Sequence, residues 1–191
     1  MNKKIIIVEG YLASGKSTFA LHLSETIGVP YLIKDTFKSA LCKHIEIDDR
    51  SESSKFSVVT FDAMMYVVER LMETGCSIII EGNFAPSGMK KVDEAGEIKR
   101  LIEKYEYSSL TYKFKGDTKV LHKRFVERED TAERGQANKL GFEVKHEDFD
   151  RWCHKLDPFD VGGRVIEVDT TDFSKVDFVG YVNIAKGFIN A

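Results

Sequence analysis

Apolar residues in this chain follow two rhythms that alternate along its length. The unbroken runs Ile5-Ile6-Ile7-Val8 and Ile78-Ile79-Ile80 carry β-branched side chains at consecutive positions, the pattern of strands buried on both faces. Between and after them, apolar residues recur at helical spacing: Phe19, Ala20, Leu23 and Ile27, then Val58, Phe61, Met64, Met65, Val68, Leu71 and Met72, then Val120, Leu121 and Phe125. That spacing predicts helices over 17–27, over 57–73 and through 120–125. Further helices are expected from Asp35 to Cys42 and over 92–104, 146–156 and 173–189, and shorter strands over 31–33, 110–114 and 164–169. Gly28 stands where a left-handed helix end is expected and Pro30 forbids continuation, while Asp117 suits the start of the helix that follows it. The polar run 48–55, dense in serine and charge and without periodicity, predicts an exposed loop and a candidate mobile segment. Charged residues also dominate 130–145, punctuated by Gly135 and Gly141, and that stretch is expected to form a lid.

Strands alternating with helices imply βαβ units, and hence an α/β fold with a parallel sheet, helices on both faces and right-handed crossovers. A length of 191 residues suits a single domain, 1–191, large enough to cover both faces of the sheet. In such sheets ligands bind beyond the carboxyl ends of the strands. That rule brings Gly10 to Ser17, Asp35, Glu81 and the segment after Asp169 to one edge.

The first strand runs directly into Gly10-Tyr11-Leu12-Ala13-Ser14-Gly15-Lys16-Ser17-Thr18, and a predicted helix follows. This is the strand, loop and helix order of a phosphate-binding loop. Gly10 and Gly15 permit positive φ and close approach of the backbone, so consecutive N–H groups can turn inward around an anion, and the positive end of the helix adds to that field. Ala13, Ser14, Gly15, Lys16, Ser17 and Thr18 would hold the phosphates of a nucleoside triphosphate. Lys16 would reach the β- and γ-phosphates as a point charge, and the Ser17 hydroxyl would ligate Mg²⁺.

Composition narrows the classes of partner. The 28 basic and 31 acidic residues give a net charge of −3, with no concentrated basic stretch, which argues against nucleic acid as partner and against a charged membrane surface. Apolar runs fall short of a membrane span and the start of the chain leads into a core strand, so a cytoplasmic protein is expected. Cys42, Cys76 and Cys153 lack paired spacing and read as reduced thiols, and the five histidines show no metal-ligand spacing. No pattern indicates an oligomeric state.

Phosphoryl transfer requires a positioned triphosphate, cations on its charge and an acceptor oxygen held in line. Asp35, one strand over from the loop, could take the proton of an acceptor hydroxyl, or simply cap a helix beginning at Thr36. Glu81, at the end of a buried strand, could reach the Mg²⁺ hydration shell or the acceptor, or pair with Lys90 or Lys91. Asn83 could bond substrate or serve a turn. Arg124 and Arg128, four apart on one helix face, and Arg134 beyond them could clamp phosphoryl charge as a lid closes. Their acidic neighbours also allow a solvated salt-bridge face.

With these residues placed, the chain resembles the small P-loop kinases related to adenylate, shikimate and gluconate kinases, including the chloramphenicol phosphotransferase type. The resemblance rests on the phosphate loop and on Asp35 after the second strand. It rests also on Ile79-Ile80-Glu81-Gly82-Asn83-Phe84 as an apolar strand ending in an acidic residue and glycine, and on residues 120–128 as the helix leading into an arginine-bearing lid. It implies a three-layer sandwich with a five-stranded parallel sheet in the order 2-3-1-4-5, and it places the turn ending at Thr171 against adenine. Catalytic roles for Lys16, Asp35, Arg128 and Arg134 and nucleotide contact for Arg124 are consistent with it. Glu-Gly-Asn-Phe-Ala stands where the nucleotide kinases of the group carry Asp-Gly-Phe-Pro-Arg, which argues against a nucleoside monophosphate and for a hydroxyl-bearing small molecule as acceptor. The competing readings are a nucleotide or polynucleotide kinase and an ATP-binding regulatory P-loop protein. No Asn-Lys-x-Asp guanine signature is present.

Overall fold

The computed structural model describes residues 3–45, 50–89, 92–129 and 142–191. Five strands form one parallel sheet in the order β2-β3-β1-β4-β5: β1 Lys4–Gly10, β2 Tyr31–Ile33, β3 Ile78–Glu81, β4 Ser108–Lys115 and β5 Arg164–Asp169. Helices connect them: α1 Lys16–Ile27, α2 Lys34–Leu41, α3 Arg50–Glu73, α4 Glu94–Tyr105, α5 Thr118–Glu129, α6 His146–His154 and α7 Phe178–Asn190.

The isoleucine runs behave as strands buried on both faces must. Alternation sends Ile5, Ile7, Ile78 and Ile80 into a core with α3 and α4, and Ile6, Val8 and Ile79 into a second core with α1 and α7. All seven are fully enclosed, each worth about 1.5–3 kcal/mol of burial. Tyr11, Leu121, Phe125, Val144, Phe149 and Cys153 make a smaller third core between the phosphate loop, α5 and α6.

Several boundaries fall as expected. Gly28 ends α1 at φ 68°, its N–H bonded to the Ser24 carbonyl, and Asp117 Oδ1 accepts from the amides of Lys119 and Val120 to cap α5.

Others differ. The run 48–55 is not a loop from residue 50 onward: α3 begins at Arg50, because its polar first turns pack on α2 through hydroxyls, with Lys38 Nζ donating to Ser53 Oγ and Ser57 Oγ. Residues 48 and 49 lie outside the described segments. Asp35 does not cap a helix at Thr36; α2 starts at Lys34 with Ile33 as its N-cap, and Asp35 stands inside the first turn. The closing helix is split, since Asp172 and Asp177 cap a short 3-10 turn at Phe173–Lys175 and α7 separately. The expected lid, 130–145, lies outside the described residues as far as 141. Beyond that Val144 is buried and its carbonyl takes a hydrogen bond from His122 Nε2. Among the described residues no helix is long and apolar enough to cross a membrane, and the three cysteines are unpaired.

Candidate active site

Gly10 closes β1 in a conformation that only glycine tolerates here. Its φ is 124°, and a Cβ added to it would lie 2.1 Å from the Phe114 carbonyl oxygen in the neighbouring strand. Tyr11 N–H donates to that same oxygen, which fixes where the loop leaves the sheet. Two further left-handed residues, Ala13 at φ 56° and Gly15 at 87°, turn the loop back into α1. Gly15 caps that helix without a side-chain bond, and its first turn carries no acidic residue, so the leading amides face a positive, uncovered helix end. The residues present therefore suit a phosphate group. Ser14 Oγ and Lys16 Nζ both donate to the Tyr11 carbonyl, at 2.7 and 2.6 Å.

Around this loop the sheet edge collects the expected charges. A cavity of about 370 Å³ is lined by residues 12–18, by Asp35 and Lys38 of α2, by Glu81 at the end of β3 with Gly82 and Asn83 beyond it, and by Arg128 of α5, among others. Ser17 Oγ donates to Glu81 Oε2 at 3.1 Å. Burial pushes the Glu81 carboxyl up to about 7; the Lys16 charge opposes this, the Asp35 charge adds to it, and the Ser17 bond and Arg128 oppose it. Burial likewise lowers the Lys16 ammonium, against Glu81, Asp35 and Glu9. A hydroxyl and a carboxylate so close are hard oxygen donors that suit Mg²⁺. No group of three or more potential protein ligands exists among the described residues, so phosphate and water would complete the ion's shell.

A second cavity, about 590 Å³, adjoins the first across the loop. Ala13, Gly15, Thr18, Phe19, His22, Arg124, Arg128, Phe173 and Phe178 line it. Arg124 is locked there, donating to the carbonyls of Thr170 and Thr171 at 2.7 and 2.8 Å and lying 4.1 Å from the centre of the Phe173 ring. Thr171 itself stands behind the guanidinium. Its carbonyl holds Arg124 and its hydroxyl donates to Asp169. Gly10 is likewise beneath the cavities, and Arg134 lies outside the described residues.

Four features near the site were not anticipated. Phe173, Phe178 and His22 supply the wall of the second cavity, where the sequence offered only helical apolar positions. Glu9, next to Gly10, is wholly buried opposite Lys113 in the β1–β4 register, with Oε1 3.7 Å from Nζ, and burial lifts its carboxyl to about 7 against the Lys113 and Lys16 charges. Lys34 and Glu94 form a buried pair at 2.8 Å, and Glu94 also accepts from the Ala85 amide, which holds the chain after Asn83. Finally, the Tyr11 hydroxyl lies 2.8 Å from His154 Nδ1 and donates to Asp157 at 2.9 Å, tying the loop to the end of α6. The alternative pairing of Glu81 with Lys90 or Lys91 falls outside the described residues; Glu81 Oε2 accepts from Ser17 Oγ.

No family model matches this chain, and no curated protein matches its sequence. Solved structures do. A protein of Chloroflexus aurantiacus assigned as a kinase aligns over 98% of this chain and 99% of its own, at 21% identity and a TM-score of 0.86. Shikimate kinase from Bacteroides thetaiotaomicron aligns over 98% and 99%, at 13% identity and a TM-score of 0.60. A gluconokinase from Sinorhizobium meliloti aligns over 98% and 91%, at 16% identity and a TM-score of 0.52. The fold is that of the small P-loop kinases, with the strand order expected from the resemblance.

Proposed function

We propose that this chain is an ATP-dependent phosphotransferase that moves the γ-phosphoryl group to a hydroxyl of a small molecule. The observation that carries this reading is the convergence of Lys16, Ser17, Asp35, Glu81 and Arg128 on one cavity at the phosphate loop. In the transfer, the acceptor oxygen bonds to the γ-phosphorus and the bond from that phosphorus to the bridging oxygen breaks. ADP leaves, and the hydroxyl proton passes to the Asp35 carboxylate. Lys16 and Arg128 neutralise charge on the transferring group. Mg²⁺, when bound by Ser17 and Glu81, supplies Lewis-acid neutralisation of the phosphate oxygens.

The second cavity suits the base. Phe173, Phe178 and Arg124 offer stacking surfaces, and its described lining carries no carboxylate for the N–H donors of guanine, which favours adenine.

The test is ADP release from Mg-ATP across a panel of hydroxyl compounds, together with Lys16→Ala and Asp35→Asn. Lys16→Ala should abolish turnover. Asp35→Asn should lower kcat by about 10²–10⁴ while ATP affinity stays nearly intact. Full activity in Asp35→Asn overturns the base assignment, and ATP binding without turnover on any acceptor overturns the transferase reading.

A further inference from the structure

The two cavities flanking the phosphate loop have opposite chemistry. Three phenylalanines line the larger, whereas the described lining of the smaller contains no aromatic ring. At its acceptor end it offers the Asp35 carboxylate, the Lys38 ammonium and the hydroxyls of Ser53 and Ser57, with Val58 the apolar residue among them. Lys38 is buried and its ammonium is held by both serines, so this polar wall is a built one.

Asn83 lines the same cavity from the turn after β3. Its Oδ1 is enclosed and takes no hydrogen bond from any described residue, so the turn does not use it. A buried amide oxygen left unbonded costs about 1–3 kcal/mol. The amide carries both an acceptor, Oδ1, and a donor, Nδ2, and so has the chemistry to read a hydroxyl, which itself donates and accepts.

Volume sets the size of the guest. About 370 Å³ lies at the low end for a whole drug-sized ligand, and this space must also take the terminal phosphoryl group. Among the described lining a nucleobase or phenyl ring meets no aromatic partner and would leave the polar wall unpaired, a mismatch that sites built for hydrogen bonding reject strongly.

Building on the phosphotransfer reading, we infer that the acceptor is a small aliphatic polyol, up to about the size of a simple sugar, and that Asn83 bonds a hydroxyl beside the one phosphorylated. The experiment measures ADP release by the full chain with Mg-ATP. One set of acceptors is glycerol, erythritol, ribose and glucose; the other is adenosine, chloramphenicol and kanamycin. At least one polyol should raise ADP release tenfold or more above the rate with water alone. With that polyol, Asn83→Ala and the shape-preserving Asn83→Asp should each raise the acceptor KM tenfold or more, with the KM for ATP within twofold and the melting temperature unchanged. Turnover confined to the second set overturns the polyol assignment and leaves phosphotransfer standing. Silence in both sets, with ATP still bound, overturns both. An unchanged acceptor KM in the two variants, or a lowered melting temperature in place of the KM effect, assigns Asn83 to the turn and overturns its role here.

Discussion

Ser17 Oγ and Glu81 Oε2 meet at 3.1 Å between the first turn of α1 and the carboxyl end of β3. Each comes from a different βαβ unit, and the sheet register that aligns Val8 with Glu81 brings them together. The pair supplies two oxygen donors to one point beside the phosphate loop.

Protonation of Glu81 should therefore compete with Mg²⁺. With the carboxyl pushed up to about 7 by burial, it is mostly protonated at pH 6 and mostly ionised at pH 8. The Mg²⁺ concentration for half-maximal ATP-dependent turnover is expected to be about tenfold higher at pH 6 than at pH 8, since each unit below the pKa costs a factor of ten in the ionised fraction. Titrating Mg²⁺ at both pH values measures this, and Glu81→Gln should raise the requirement and flatten its pH dependence. Identical requirements at the two pH values would rule out Glu81 as a ligand.

Glu9 makes a prediction about folding. Its carboxyl sits near 7 when folded and near 4.5 in an unconstrained chain, so between these values the folded state holds the proton that the unfolded state has released. Stability must then fall as pH rises from about 4.5 to about 7. Glu81, raised in the same direction, adds to the decline. Urea denaturation at pH 5 and pH 7 should show Glu9→Gln losing less stability than the parent across this interval, by about 1–3 kcal/mol. Parallel losses in the two proteins would show that Glu9 does not titrate there.

Two glycines with positive φ should respond differently to alanine. At Gly10 the new methyl carbon would meet the Phe114 backbone at 2.1 and 2.8 Å, in a strand pinned between β1 and β5. Gly10→Ala is expected to cost more than about 3 kcal/mol, or to prevent folding. At Gly28, φ 68°, nothing lies within 4 Å of the added carbon, and Gly28→Ala should cost only about 1 kcal/mol of backbone strain. Urea denaturation of both variants tests the contrast, and equal losses would contradict it.

What the sequence made legible was whatever depends on neighbours along the chain. Ile5 to Val8 announce a strand buried on both faces because every consecutive side chain is apolar, and Gly10 to Thr18 carry their spacing with them. The place of Asp35 and Glu81 at one edge was legible because the strands that precede them are local signals and the parallel sheet does the rest. Glu9 escaped notice because its partner, Lys113, stands across the β1–β4 register, a pairing no local pattern records. The start of α3 was misread for a related reason: Ser53 and Ser57 contact α2 by hydroxyl bonds to Lys38, so a packed helical face looks polar and unstructured in the sequence. Phe173 and Phe178 fell within one expected helix, 173–189, whereas Asp172 and Asp177 start two separate turns and both rings line a cavity.

The Tyr11 side chain has a mechanical consequence for the loop it belongs to. Its hydroxyl is fastened to His154 and Asp157, while its own carbonyl receives the hydrogens of Ser14 and Lys16. One residue thus acts as a lever with its two arms in different parts of the fold. The oxygen that steadies Lys16 is thereby tied, through a single residue, to chain that lies more than 140 residues downstream.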